Sequence, residues 1–511
     1  MSYKAYLRTS LKTITLSIRR ILKPKKYKSI GFLCELLDND VTLNEKARTI
    51  KNKIVTHICT PESEFFPKNN ACLVYTNPAF GISDYSASAK KAIQDGALVL
   101  ITSQSFPEYP CIVSNNPLKV YSLLCKYYRE LQPRVKVTAI TGSIGKSTTK
   151  NMIGEVYKTC FKTFYTEEND NTKTTIGFAV QHIPGCSEMM VQEVCESEPD
   201  ETQWLSMMLR PEIVVITSID KSHIEVMGST EKIIEECCSA TRFMSDNGTV
   251  IVNKDEFNRF DLLNNRNTLT VSITEPDADF YASDIEEDLS GLSFHAHIKE
   301  NGEFIQVKLN NMYARHNVLC ALYAFAAGYC QGISSETIVK GLSNYHTSGV
   351  RQNIIKTPDN ITLYVDCYNA VAKSMKSAIE ACDTIPVLGK RIAVLGDIEE
   401  VGDFSESMHR DVITYVDESK FDILLTIGSR FKIASDVAAV RDSLLLRSFD
   451  DKDSLSESLL KMVSSGDLVL FKASHASRLA ECIIKVWPDL EPNVYDLTRF
   501  KNLGKVLSLF H

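Results

Sequence analysis

Residues 135–150, VKVTAITGSIGKSTTK, constrain this chain more than any other segment. A β-rich run over 135–140 feeds a turn of small residues that ends in Gly145-Lys146-Ser147-Thr148, and a helix-compatible stretch follows. Gly142 and Gly145 let backbone N–H groups close around a phosphate chain, and the helix behind them points its positive end inward. Lys146 offers a point charge to the outer phosphates and Ser147 a hydroxyl to Mg²⁺. Ile140 stands where the general phosphate loop carries another glycine, so this is a shortened form, TGSxGK[ST]T. The bland alternative is a strand–helix turn that binds nothing. The order of strand, turn, Lys-Ser pair and helix weighs against it.

A chain of 511 residues has room for about three domains. Its 44% apolar and 24% charged content describes an ordinary globular protein, and a net charge of −7 gives no reason to expect nucleic acid as partner. The 15 cysteines include no C-x-x-C pair, which suits reduced thiols in a cytoplasmic setting better than a disulfide frame or a zinc site. The longest apolar runs are strand-sized, so no transmembrane segment is expected. No acidic residue precedes Glu35, while Lys4, Arg8, Lys12, Arg19, Arg20, Lys23, Lys25, Lys26 and Lys28 are basic and Leu7, Leu11, Ile14, Ile18 and Ile21 recur at helical spacing. Two readings stand. One is an amphipathic helix in weak contact with an anionic membrane surface. The other, the commoner use of a single aliphatic stripe, is a helix on its own domain or a frayed extension. A secretion signal does not fit, since only Ile21 and Leu22 follow the Arg pair before Lys-Pro-Lys-Lys.

Short strands alternate with helices along most of the remainder. Strands are expected at 71–76, 98–102, 189–194, 212–217, 249–253, 361–366, 391–397, 423–428 and 468–473. Helices are expected at 86–97, 117–131, 316–331, 373–382 and 405–417, with a β-rich patch near 267–310. This rhythm predicts α/β domains with parallel sheets covered on both faces. The divisions expected are a basic extension (1–28) and three domains (29–134, 135–346 and 347–511).

Several residues sit where such sheets gather functional groups, at the carboxyl ends of strands. Glu193 closes an apolar strand and can hold Mg²⁺. His223 follows the next strand in TSIDKSHIE, as a second metal ligand or as a group that orients a reacting carboxylate. Asp366, before Tyr368-Asn369, can accept from a ribose, and Arg351, at a domain joint, can reach a γ-phosphate. Taken singly, each has a bland alternative: a strand-end acid facing water, a surface or packing histidine, a surface charge pair.

Their order resembles the Mur ligase family of ATP-dependent amide-forming enzymes. TGSIGKSTTK resembles the family's ATP loop, with Gly142, Ser143, Gly145, Lys146, Ser147 and Thr148 as its ATP contacts. Glu193 in EVCESEPDE is similar to the magnesium glutamate, and TSIDKSHIEVMGS to the second-metal segment. ARHNVLCALYA, with His316 and Asn317, resembles the helix start that packs on adenine. SGVRQ supplies Arg351, and VDCYNA carries Asp366, Tyr368 and Asn369. GDIEEVGDFSESMHR (396–410) resembles the branch that adds D-alanyl-D-alanine to a peptidoglycan precursor. The resemblance implies a central P-loop-type ATP-binding α/β domain with a parallel sheet, a C-terminal Rossmann-like α/β domain and a smaller N-terminal α/β domain. It implies ATP and Mg²⁺ as cofactors, small-molecule or peptidoglycan-precursor substrates, and a monomer. Lys146, His223 and Arg351 would be catalytic, with Ser147, Glu193 and His223 at the metal. Asn171, Lys173, Thr174, Tyr368, Asn369 and Lys472 would meet substrate.

The departures concern substrate and metal. Lys173 and Thr174 in NDNTKTTIG stand where the family pairs two asparagines. Cys237 stands at the place of a lysine that several relatives carbamylate, Asn369-Ala370-Val371-Ala372 replaces Asn-Ala-Asn-Pro, and Lys472-Ala473-Ser474-His475 replaces Lys-Gly-Ser-Arg. Three rivals remain beside the D-alanyl-D-alanine ligase: a ligase of the same build with another substrate, a nucleotide-binding scaffold without catalysis, and a plain kinase or ATPase.

Overall fold

The computed structural model describes residues 28–37, 41–61, 69–75, 85–166, 170–263, 265–288, 290–347, 349–490 and 494. The basic run through residue 27, with its aliphatic stripe, lies outside the described residues. Three larger sheets follow one another along the chain, beside a two-stranded ribbon of Lys28–Ser29 and Ile54–Val55. The first sheet orders its strands Thr42–Leu43, Cys111–Val113, Val99–Thr102, Ala71–Val74 and His57–Cys59. It is parallel except at the first pair.

The second sheet has nine strands. Thr163–Tyr165, Met189–Glu193, Lys136–Thr141, Ile213–Ile216, Thr249–Asn253, Asn267–Ser272 and Phe280–Asp288 run parallel in that spatial order. Gly291–Ile298 and Glu303–Asn310 then extend it antiparallel. The third sheet runs Asn353–Lys356, Thr362–Asp366, Leu468–Lys472, Arg391–Gly396, Ile423–Ile427 and Leu445–Phe449, antiparallel only at its first pair. The α/β class is therefore as expected, but the sheets are mixed rather than wholly parallel. In the second sheet the reason is loop length. The stretches between Asp288 and Gly291 and between Ile298 and Glu303 are too short for a helical crossover, so those consecutive strands must reverse.

Burial on both faces explains the apolar runs. In the second sheet Val137, Ala139, Val214, Ile216, Val250 and Val252 point into one core, and Ile140, Ile213, Val215 and Ile251 into the other. The first core is continuous with that of the N-terminal sheet, joined through Val120, Tyr121 and Leu124 of the helix Pro117–Glu130. In the third sheet Ala393, Leu395 and Leu424 serve one core, while Ile392, Val394 and Leu425 serve the other. None of the cysteines forms a disulfide. Among the described residues no helix is long and apolar enough to cross a membrane.

Candidate active site

Register decides what meets at the carboxyl edges. Glu193 lies beside Ile140, Ile216 beside Thr141, and Asp366 beside Lys472. The ends of the second and third sheets thus line one cleft of about 390 Å³.

The phosphate-type turn is built as its glycines require. Gly142 has φ 118°, and a Cβ there would lie 2.3 Å from Thr217 Oγ1; Gly145 has φ 86° and opens the helix Lys146–Lys158. The N–H groups of Ser143 and Ile144 donate to Ser218 O at 3.0 and 3.1 Å, and Ser143 Oγ donates to Asp220 O at 3.0 Å. The turn is thereby pinned to the segment that leads to His223. The N–H groups of Lys146, Ser147 and Thr148 open the helix and have no carbonyl one turn earlier within it, so they are available to an anion.

Ser147 Oγ donates to Glu193 Oε2 at 2.6 Å, and Asn171 Nδ2 donates to Glu193 Oε1 at 2.8 Å. Lys146 Nζ lies 2.8 Å from Glu196 Oε1 and also donates to the Gly142 carbonyl. Burial alone would lower the Lys146 pKa; the carboxylates of Glu196 and Glu193 outweigh it and hold the ammonium above the usual lysine range. Glu196 is 0% exposed, and its Oε2 has no hydrogen-bond partner.

Across the cleft, Lys472 Nζ meets Asp366 Oδ2 at 2.8 Å and donates to the Asn369 carbonyl. The Arg351 guanidinium stacks 3.5 Å from the centroid of the Tyr368 ring, with Nε and Nη2 buried and without a hydrogen-bond partner. Gln352 Nε2 donates to His316 Nε2 at 2.7 Å, and Asn317 Nδ2 donates to Gln352 Oε1 at 2.7 Å. Burial lowers the His316 pKa to about 4, so its imidazole is neutral, and the bond from Gln352 assigns the proton to Nδ1, which has no partner. His223 and Glu400, both at positive φ (56° and 60°), meet across the joint through His223 Nδ1 and Glu400 Oε2, and this hydrogen bond from His223 holds the Glu400 carboxyl below the usual range.

Of the residues singled out from sequence, Ser143, Gly145, Lys146, Ser147, Thr148, Asn171, Glu193, His223, His316, Arg351, Asp366, Tyr368, Asn369 and Lys472 line the cleft. Gly142 and Asn317 stand just behind it, touching Lys146 and Gln352. Lys173 and Thr174 are elsewhere: the Lys173 ammonium lies 3.4 Å from both Glu198 and Glu201, and the Thr174 hydroxyl meets Thr60 at 2.8 Å. Cys237 is fully buried, and burial pushes its thiol far up, so it is neutral and no cation ligand as it stands. Sequence reasoning passed over Glu196, Gln352 and Glu400. The acid-rich run at 196–201, directly after Glu193, was the available signal for the first.

The donor set suits Mg²⁺. Ser147 Oγ and Glu193 are hard oxygen donors beside a turn shaped for phosphate. Among the described residues no cluster of three or more His, Cys, Asp or Glu side chains is arranged to cage a metal. A Mg²⁺ that keeps its waters and takes phosphate oxygens as further ligands needs no such cage.

Comparison with known proteins agrees with this geometry. Residues 140–328 match the family description "Mur ligase middle domain", and residues 350–475 match "Mur ligase, glutamate ligase domain". The chain is 31% identical over 408 residues to the UDP-N-acetylmuramoyl-tripeptide–D-alanyl-D-alanine ligase of Bacillus subtilis, covering 78% of this chain and 87% of that protein. It is 25% identical over 410 residues to the Escherichia coli ligase of the same name, covering 79% and 88%. In fold it is similar to the crystal structure of MurF from Acinetobacter baumannii, with a TM-score of 0.76 at 21% identity over 91% of this chain and 99% of that one. It is also similar to MurF ligase from Thermotoga maritima in complex with ADP, with a TM-score of 0.69 at 21% identity over 82% and 94%.

Proposed function

The chain belongs to the Mur ligase family, and on that premise we propose that it is an ATP-dependent ligase joining D-alanyl-D-alanine to the terminal carboxylate of a UDP-N-acetylmuramoyl tripeptide, a step of peptidoglycan precursor synthesis. The observation that carries the reading is the Ser147–Glu193–Asn171 chain beside Lys146, faced by the unpartnered guanidinium of Arg351.

A carboxylate and an amine do not condense usefully in water without activation. The γ-phosphoryl group of ATP passes to a carboxylate oxygen of the acceptor, and ADP leaves. The amine then attacks the acyl carbon, loses its proton, and the tetrahedral adduct expels phosphate. Lys146 and Arg351 grip the outer phosphates and take up the charge that develops between them. Ser147 and Glu193 would hold a divalent cation, which would supply further neutralisation of the phosphoryl oxygens. His316, held by Gln352 and through it by Asn317 behind the cleft, presents a neutral polar face to the base. The joint of the second and third sheets keeps water from the acyl phosphate, and His223 with Glu400 ties that joint.

Lys146→Ala is expected to abolish phosphate release; it also leaves the buried Glu196 without its counter-ion, so the melting temperature should fall while circular dichroism shows the chain still folded. In the wild type, phosphate release should require both acceptor and D-alanyl-D-alanine. Release that needs neither would indicate a plain ATPase, and release undiminished in Lys146→Ala would reject the assignment. A second reading, a ligase of the same build acting on a different carboxylate, is favoured by Lys173, whose ion pairs with Glu198 and Glu201 replace the neutral asparagine pair of the family pattern. Acceptors that differ in their peptide side chains discriminate between the two.

A further inference from the structure

Glu196 is the residue of this site with the least evident purpose. It is fully buried behind the cleft wall, one oxygen on Lys146 and the other without any partner. A carboxylate in that condition relies on its single counter-ion. Three residues earlier Glu193 is almost as deeply buried, and the Lys146 ammonium interacts with both.

The other carboxylates of the cleft wall named above have partners of their own, and so does Lys472. Lys472 is paired with Asp366, Glu399 with Arg430, and Glu400 with His223. Arg351 is held against Tyr368 on the facing domain. At the phosphate turn itself, one ammonium therefore serves two buried carboxylates. A triphosphate that enters alone adds a third anionic claimant to Lys146. To reach it, the lysine must leave Glu196 without a counter-ion. A divalent cation arriving with the phosphates changes that balance, since it brings two positive charges to the side of the turn where Ser147 and Glu193 lie.

We propose that Glu196 is a positioning residue that holds the Lys146 ammonium away from an incoming phosphate, so that this lysine engages a nucleotide only when a divalent cation accompanies it. The proposal rests on the reading of the cleft as a nucleotide site. Its consequence is that charge at position 196, rather than side-chain packing there, sets how strongly nucleotide affinity depends on the cation.

The test is calorimetric titration of the full-length protein with ATP, once in Mg²⁺ and once in EDTA, with melting curves to check folding. The wild type is expected to bind ATP at least about tenfold more weakly in EDTA. Glu196→Gln keeps the shape and an acceptor for Lys146 but removes the charge; it should bind Mg²⁺-free ATP at least about tenfold more tightly than wild type, with the affinity in Mg²⁺ changed by less than about threefold. Glu196→Asp, which keeps the charge, should retain the cation dependence. If the amide variant does not fold, Glu196→Ala gives the same comparison without an amide in the pocket. Equal wild-type affinities in Mg²⁺ and EDTA overturn the proposal before any variant is made. An unchanged ratio in Glu196→Gln, or a parallel loss of both affinities, overturns it too, because a merely structural support of Lys146 would act in that way. Absence of ATP binding by the wild type under both conditions would overturn the nucleotide-site reading as well, so the two failures are distinguishable.

Discussion

At His316 a half-buried imidazole opens the helix that faces the cleft, and its proton balance has a measurable consequence. Its pKa in the folded chain is about 4, lowered from 6.5 by burial, so the unfolded chain takes up the proton first. Stability from this group is complete above about pH 6.5 and is lost as pH falls towards 4, up to about 3 kcal/mol in all. Urea unfolding at pH 7 and pH 5 should show that loss in wild type and a flatter dependence in His316→Gln; equal slopes would count against a neutral, half-buried imidazole. Arg351 carries a second residue-scale prediction. Its planar guanidinium lies on Tyr368 with two nitrogens unpartnered, a geometry that lysine cannot reproduce. Arg351→Lys is expected to lower the turnover rate by about a hundredfold with the melting temperature little changed, read from steady-state phosphate release.

Among the elements, the phosphate turn and one helix of the second sheet's domain have the clearest leverage. Gly142→Ala places a Cβ against Thr217 in a left-handed conformation and is expected to cost about 2 kcal/mol or more, with ATP binding lost in calorimetry. The helix Lys173–Gln181 ends in a buried amide that grips the N-terminal sheet. Gln181 Nε2 donates to Ile58 O at 2.7 Å, and the Ile58 N–H donates to Gln181 Oε1 at 3.1 Å. Gln181→Ala strands both backbone groups and is expected to cost about 2 kcal/mol, seen as faster hydrogen exchange at Ile58 and its strand. Unchanged exchange there would mean that the apolar core alone fixes the two parts. The strands and helices around the turn were legible in sequence because apolar runs bounded by Gly, Pro and Asp leave few options. The antiparallel extension of Gly291–Ile298 and Glu303–Asn310 was recognised as β-rich, but its direction was not, since pairing direction depends on loop length rather than composition.

For the molecule as a whole, the cleft exists because two sheets turn their carboxyl edges towards one another. Lys373 with Glu256, Thr384 with Glu287 and His223 with Glu400 hold that joint. Strand-end acids and the Lys-Ser pair could be picked out from sequence, because each follows an apolar run at a fixed offset. Gln181 and Gln352 could not, and for Glu196 the acid-rich run marked the segment but not the burial. A neutral amide carries no spacing signal, and an acid just past a strand reads as solvent-facing until the fold encloses it. Lys173 stood out as a departure, yet only the structure ties it to Glu198 and Glu201 rather than to the cleft. The most direct measurement is the mass of the product formed when the full-length protein is incubated with ATP, Mg²⁺, UDP-N-acetylmuramoyl tripeptide and D-alanyl-D-alanine. The account predicts one new species, the acceptor plus the dipeptide less one water, formed with one ADP and one phosphate per bond. Recovery of the acceptor unchanged, while ATP is hydrolysed or left intact, would contradict it.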